Sequence, residues 1–241
     1  MVDINNSLDA RISQSNLKVT KSNALVNSRH SLTTTELRVI KSCIAKIHSM
    51  GDTKPGLITI YASEYQESFD CVNPYDDLKD ATGRLFEREI NYWDQDNNTY
   101  TRTRWVQSVQ YDNGSGCVTL EFADKIKPQL YSLSKNFTTY HLRHIAKFKS
   151  KYSIRFYELL SQYKKLGKRT FEVEDLRQMF MLEKKYPRFA DFKKYVLSPA
   201  VREINKYSDL MISDPQNIKK GRTIVKIKFD ISSKPQKELD V

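Results

Sequence analysis

Basic side chains set at helical spacing, with a second basic cluster shortly after them, are the residues of this chain with an evident chemistry. They lie between Arg188 and Arg222, in RFADFKKYVLSPAVREINKYSDLMISDPQNIKKGR. At about 100° per residue, Lys194, Ser198, Arg202 and Asn205 share one arc of a helix, flanked by Lys193, Lys206 and the leading Arg188. Lys219, Lys220 and Arg222 form the second cluster. Ammonium and guanidinium groups neutralise phosphates, and Arg, Asn or Ser side chains pair with base edges. The chemistry on offer is recognition of double-stranded DNA, with Arg202 suited to guanine O6 and N7. A solvated helix also shows a charged face, so the reading needs support from elsewhere in the chain.

Catalytic chemistry finds less to stand on. A metal-dependent nicking centre needs a close histidine pair and a tyrosine nucleophile; the only close pair is His141 and His144, in H-L-R-H. At i and i+3 on a helix these two could share a metal, but no carboxylate or cysteine neighbours them. Tyr157, Tyr163, Tyr186 and Tyr207 sit at semi-apolar positions, as core tyrosines do. There is no G-x-x-x-x-G-K-[ST] to cradle a nucleotide. We therefore expect no catalytic residue, no metal and no cofactor.

A helix and a hairpin must position the basic residues. Phe192, Val196, Leu197, Ala200, Ile204 and Tyr207 occupy the arc opposite the cations, so that face belongs to a core. Pro199 cannot donate to the carbonyl of Tyr195, which predicts a kink, or a fresh start capped by Ser198. After Tyr207 the period becomes strand-like at Leu210 to Ile212. Asp214 to Asn217 carries turn residues, and Lys219-Lys220-Gly221-Arg222 leads into the alternating TIVKIKF. A helix with a basic outer face followed by a hairpin with a basic tip describes a winged helix, with the helix in the major groove and the tip along the phosphates.

Composition is consistent with this. The 241 residues, 39% hydrophobic and 11% aromatic, are enough for two domains with real cores. The start, MVDINNSLDARISQ, is polar, and no apolar run approaches the ~20 residues of a membrane span, so a cytoplasmic protein is expected. Cys43, Cys71 and Cys117 are far apart, which suggests free thiols. Residues 1–140 hold 16 Lys and Arg against 17 Asp and Glu, while residues 141–241 hold 24 against 12. All of the net +11 therefore sits in the second half, the footprint of a polyanion binder. Acidic lipid is the competing polyanion, but the basic helix lacks the exposed Trp and Phe of an interfacial helix.

In chain order, residues 1–16, polar and without periodicity, are expected to form a disordered tail, and the following residues read as two copies of one unit. The spacing predicts helices at Ser31 to Ile47 (behind a Thr33/Glu36 capping box), Ala62 to Phe69 and Pro74 to Glu89 (capped by Asn73, with Leu78, Ala81, Leu85 and Phe86 inward). Strands are expected at Leu57 to Tyr61, Ile90 to Trp93, Thr101 to Tyr111 and Cys117 to Phe122, and a short helix at Asp124 to Leu133. The second unit opens with helices at His141 to Lys149 and Tyr152 to Leu166, ended by Gly167, then a strand at Arg169 to Glu172 and a helix at Val173 to Phe180. ITIYASEYQESF, ending at Phe69, matches RTFEVEDLRQMF, ending at Phe180, and Arg88-Glu89-Ile90-Asn91 recurs as Arg202-Glu203-Ile204-Asn205. The expected fold is α+β: two tandem winged-helix domains related by an internal repeat, over 17–138 and 139–231, with a loose tail at 232–241. On the first copy's helix Asp76, Asp77 and Asp80 oppose phosphate, leaving Lys79, Arg84 and Arg88 for auxiliary backbone contacts. The second copy, with Lys193, Lys194, Arg202 and Lys206 opposed only by Asp191 and Glu203, is the expected main DNA-binding module.

Several stretches, ALVNSRHSLTTTELRVIKSCIAKI, DDLKDATGRLFEREI, YSIRFYELLSQYKKLGKRTFEVEDLRQMF and DFKKYVLSPAVREINKYSDL with its following KKGR, resemble the initiator Rep proteins of theta-replicating, iteron-bearing bacterial plasmids. The resemblance runs from about Leu17 to Phe229. It implies two winged-helix modules that bind direct repeats at a plasmid origin as monomers, help open the duplex, and recruit the host initiator and helicase. It also implies a homodimer, in equilibrium with monomer and joined through the first module, that binds an inverted repeat at the operator and represses the protein's own gene. A winged-helix transcriptional repressor without a role in replication is the alternative, and a partner-binding scaffold a weaker one.

Overall fold

The computed structural model describes residues 17–49, 56–131 and 133–235. The expected N-terminal tail, most of the loop after Ser49 and the last residues of the C-terminal tail lie outside these. The first unit begins with strand β1 (Lys18–Ser22) and the short helix α1 (Asn23–Val26). Helix α2 (Thr34–Ser49) starts at the capping box: Thr33 N–H donates to Glu36 Oε2 at 2.8 Å and Glu36 N–H to Thr33 Oγ1 at 3.2 Å. Strand β2 (Ile58–Tyr61), α3 (Ala62–Phe69) and α4 (Pro74–Glu87) follow where the periodicity places them. Asn73 precedes α4 without a side-chain cap bond. Leu78, Ala81 and Leu85 are buried, but Phe86 lies at the surface beneath the Arg104 guanidinium, 5.6 Å from its ring centre.

The remainder of the first unit is β3 (Glu89–Asp94), β4 (Thr99–Arg104), β5 (Val106–Asp112) and β6 (Cys117–Phe122). The run from Thr101 to Tyr111, expected as one strand, is two. Trp105 is fully buried, its N–H bonds to Arg88 O and its carbonyl accepts from Ala123, so the chain leaves the β3–β4 hairpin there and enters the antiparallel sheet β2-β6-β5. The helix expected at Asp124 to Leu133 shrinks to a 3₁₀ turn at Lys127–Gln129.

The second unit departs from expectation at its start. Phe137 to His141 is strand β7, paired antiparallel to β1, followed by the short α5 (Arg143–Ala146). Strand β7 therefore lies across the expected boundary at 138/139. Helix α6 (Lys151–Ser161) runs through a 3₁₀ turn to Gly167, whose φ of 71° is the left-handed conformation a helix-ending glycine supplies. Then come β8 (Lys168–Glu172), α7 (Val173–Met179), α8 (Phe189–Phe192), a π-helical turn (Lys193–Leu197), α9 (Ser198–Tyr207), β9 (Leu210–Ile212), β10 (Gln216–Lys220) and β11 (Thr223–Ser233). Strand β11 pairs with β10, β8 and β9, and its last pairs, Ser232 with Met211 and Ser233 with Leu210, carry order past the expected start of the loose tail.

The strand-then-short-helix order recurs as β2–α3 and β8–α7, but the four-residue identity is not structural. Arg88 ends α4 and Glu89 to Asn91 enter β3, whereas Arg202 to Asn205 lie inside α9. Phe69 and Phe180 are 111 residues apart, whereas Glu87 and Tyr207, which end the corresponding long helices, are 120 apart. From their starts at Pro74 and Phe189 the two helical runs last 14 and 19 residues, so the second continues past the matched letters where the first has ended.

A buried polar seam joins the units. Glu158 on α6 forms ion pairs with Lys21 on β1 and Lys41 on α2 at 2.9 and 2.7 Å, all three side chains fully buried, and Tyr140 donates to it at 2.6 Å. Arg155 bonds His30 and the carbonyl of Ser28, and Arg38 reaches the carbonyls of Ala146 and Phe148. Burial lowers the pKa of Lys21 and of His30. At Glu158 burial pushes the carboxyl up, but the two ammoniums override it and hold it at about 2.

Candidate nucleic-acid interface

Helix α8, the π-turn and α9 form one rod. Phe192, Val196, Leu197, Ala200 and Ile204 are buried, with α9 packed on α6, so the opposite face points outward. Pro199 brings no fresh start: the helix runs through it by way of the π-turn. Ser198 has helical dihedrals (φ −63°, ψ −41°), makes no side-chain cap, and returns its N–H to Lys193 O across the wider π-turn. The enlarged turn removes the demand for the amide proton that Pro199 lacks.

The exposed positions of this rod are Ala190, Lys193, Lys194, Tyr195, Ser198, Arg202 and Lys206. Both acidic residues on it are engaged. Asp191 takes the Arg188 guanidinium at 2.8 Å. Glu203 accepts the backbone N–H groups of Lys149 and Ser150, each at 3.2 Å, capping the start of α6. The outward face is thus more purely cationic than its sequence implies. Asn205, grouped with the base-reading residues on spacing, is half-buried. Its Nδ2 donates to Ile212 O at 2.8 Å and its Oδ1 accepts from Ile212 N–H at 2.7 Å, so it ties the rod to β9.

Beyond β9 the β10–β11 hairpin projects into solvent. Every residue of β10 is exposed, and Lys220 pairs with Thr223 around Gly221 and Arg222. Gly221 has φ 61°, which a tight hairpin turn requires and a side chain would strain. Lys219, Lys220 and Arg222 sit at the exposed tip. Among the described residues, none of Lys193, Lys194, Arg202, Lys206, Lys219, Lys220 and Arg222 forms an ion pair.

The corresponding helix of the first unit is different. Lys79 is exposed between Asp76 and Asp80, while Arg84 Nε and Arg88 Nη2 lie 3.1 and 3.2 Å from Glu36 Oε1, a carboxylate with no exposed surface. The histidine pair serves packing: His144 Nδ1 is 3.0 Å from Tyr157 Oη and 3.1 Å from Asp209, which also takes Tyr157 and Lys164. Asp209, just past the rod, is thereby locked to α6. Burial would raise its carboxyl, but these partners hold it well below the usual range. Among the described residues no group of three or more His, Cys, Asp or Glu is placed to hold a metal ion, and no helix is long and apolar enough to cross a membrane. Tyr195 was missing from the sequence-predicted set; its position on the cationic arc was the available signal.

Helix, strand, two helices and a hairpin, twice over, define a tandem winged-helix protein with its cationic face on the second copy. Residues 18–161 match the model for the first winged helix of initiator replication proteins, and residues 172–231 that for the second. The chain belongs to this family of replication initiator (Rep) proteins. It is 28% identical over 236 residues to an Escherichia coli replication initiation protein, covering 93% of this chain and 72% of that one. It is 31% identical over 142 residues to the E. coli PI protein, covering 52% and 47%. In structure it resembles the Pi initiator protein crystallised with iteron DNA, with a TM-score of 0.78 at 23% identity over 92% of this chain and 99% of that one.

Proposed function

We propose that this protein is a plasmid replication initiator that binds direct repeats (iterons) at its origin as double-stranded DNA. The observation that carries this is the row of cations on α8–α9 and on the β10–β11 tip that have no carboxylate partner among the described residues. The Pi initiator, similar in fold, was crystallised with iteron DNA, which supports the same ligand here. Lys193, Lys194, Ser198, Arg202 and Lys206 meet the major groove, with Arg202 placed to pair with a guanine. Lys219, Lys220 and Arg222 hold phosphates. Arg188, tethered to Asp191, and Asn205, tethered to Ile212, shape the surface more than they read it. Lys79 on α4 supplies auxiliary backbone contact, with Arg84 and Arg88 held back on Glu36.

On the origin the monomer promotes duplex opening and recruits the host initiator and helicase. A dimer joined through the first winged helix, over 17–138, binds an inverted repeat and represses the protein's own gene. Two experiments test this reading. Footprinting on DNA flanking the gene should reveal protected tandem repeats, and supplying the protein should let a replicon bearing those repeats persist. Protection without persistence would leave a repressor in place of an initiator. Duplex binding that does not weaken by orders of magnitude between ~50 and ~200 mM salt would remove the phosphate contacts.

A further inference from the structure

Tyr195 is 47% exposed on the cationic arc, beside Lys194, whose ammonium lies 4.9 Å from the ring centre. The ring is stacked on Tyr186, with centroids 5.4 Å apart and planes at 25°. Tyr186 comes from the loop between α7 and α8 and has φ 54°, a left-handed conformation costly for a bulky side chain. The surroundings hold it there. Arg177 on α7 donates to the carbonyls of Lys185 and Pro187, at 3.1 and 3.4 Å, gripping the backbone on both sides of Tyr186, while its guanidinium covers Phe192. An unfavourable backbone conformation gripped on both sides by one guanidinium, with its ring stacked beneath an exposed aromatic, is the pattern of a strained residue fixed for a purpose.

We propose that Tyr195 is a specificity-determining residue of the DNA interface, contacting the 5-methyl group of a thymine in the major groove, and that Tyr186, held by Arg177, is its positioning residue. This rests on the duplex-binding reading above. A ring already stacked loses little freedom on contact, and its apolar rim complements the one apolar group on the major-groove edges of the bases. Base stacking is disfavoured, because Tyr186 covers one ring face and the bases of a duplex are already stacked on their neighbours. The phenol hydroxyl is not needed for the contact.

The test uses the tightest duplex recovered by the wild-type protein from a randomised pool, with each thymine replaced in turn by deoxyuridine, which lacks only the methyl. The wild type should lose about three- to fivefold in affinity at one or two thymines, the scale of one buried methyl group. That loss should vanish in Tyr195→Ala, persist in Tyr195→Phe, and shrink in Tyr186→Ala, with thermal unfolding confirming that each variant is folded. Deoxyuridine penalties identical in wild type and Tyr195→Ala, or no penalty at any thymine, would overturn the assignment while leaving duplex binding intact. Failure of the wild type to select any sequence from the pool would overturn the underlying reading as well.

Discussion

Helices α4 and α8–α9 hold the same place in their winged helices, each following a strand and a short helix, yet they present opposite surfaces. On α4 the exposed acids Asp76 and Asp80 flank Lys79, and the two arginines that could offset them are drawn onto Glu36. On α8–α9 the two acids are drawn away, Asp191 to Arg188 and Glu203 to the start of α6, and the cations are left exposed. The same device, a side chain recruited into a neighbouring element, removes positive charge from one face, as Arg84 and Arg88 go to Glu36, and negative charge from the other, as Glu203 goes to the start of α6. Counting residues along a helix cannot show this; the partners have to be seen.

The largest test asks whether two such different surfaces belong to one folded body. Glu158→Gln leaves Lys21 and Lys41 buried without a counter-charge and should cost about 3–5 kcal/mol in urea unfolding, with both units melting in one transition. Two separate transitions would make the modules independent. The carboxyl sits at about 2, below its unfolded value of about 4.3, so its contribution is complete above the higher value. As pH falls from there through about 2 that contribution is lost, and Glu158→Gln should flatten this acid limb.

Next, replacing Lys193, Lys194 and Arg202 together with alanine should weaken duplex binding by more than about 100-fold, from contacts worth about 1–3 kcal/mol each. Lys79→Ala should cost less than about threefold by the same titration, as a single auxiliary phosphate contact. Equal losses would abolish the asymmetry. Glu36→Ala moves the first unit toward the second: losing the capping box should lower stability by about 1–2 kcal/mol, and freeing Arg84 and Arg88 should tighten binding to random duplex. Unchanged affinity would mean that those arginines do not face DNA even when released. The smallest effect belongs to Lys220→Ala, which should weaken all sequences alike and reduce the salt slope by about one unit. An unaltered slope would take the hairpin tip out of the interface.

Features set by neighbours in sequence were readable from it. The Thr33/Glu36 capping box, the β2–α3 and β8–α7 steps, the Gly167 stop and the buried arc of α8–α9 all depend on residues within a turn or two. Features set across the fold were not. The β1–β7 pairing joins Thr20 to Thr139, and Glu158 finds Lys21 across 137 positions. Strand β7 falls where the sequence reads as a junction between the units, because nothing local marks a strand whose partner β1 lies more than a hundred residues earlier. Asn205 looked like a base reader because a polar residue on an outer arc carries no mark of the strand that will claim it. The recurrence of Arg-Glu-Ile-Asn misleads for a related reason: four matching letters do not say whether a helix ends at them, as α4 does, or runs on through them, as α9 does.

The seam around Glu158 also bears on how the protein is made. A ribosome adding about 5–20 residues per second delivers Glu158 roughly 7–27 s after Lys21. Through that interval both ammoniums stay in water, because burying them alone costs several kcal/mol. The opening strand of the nascent chain therefore waits, and the amino-terminal module closes only when the first long helix of its successor has emerged.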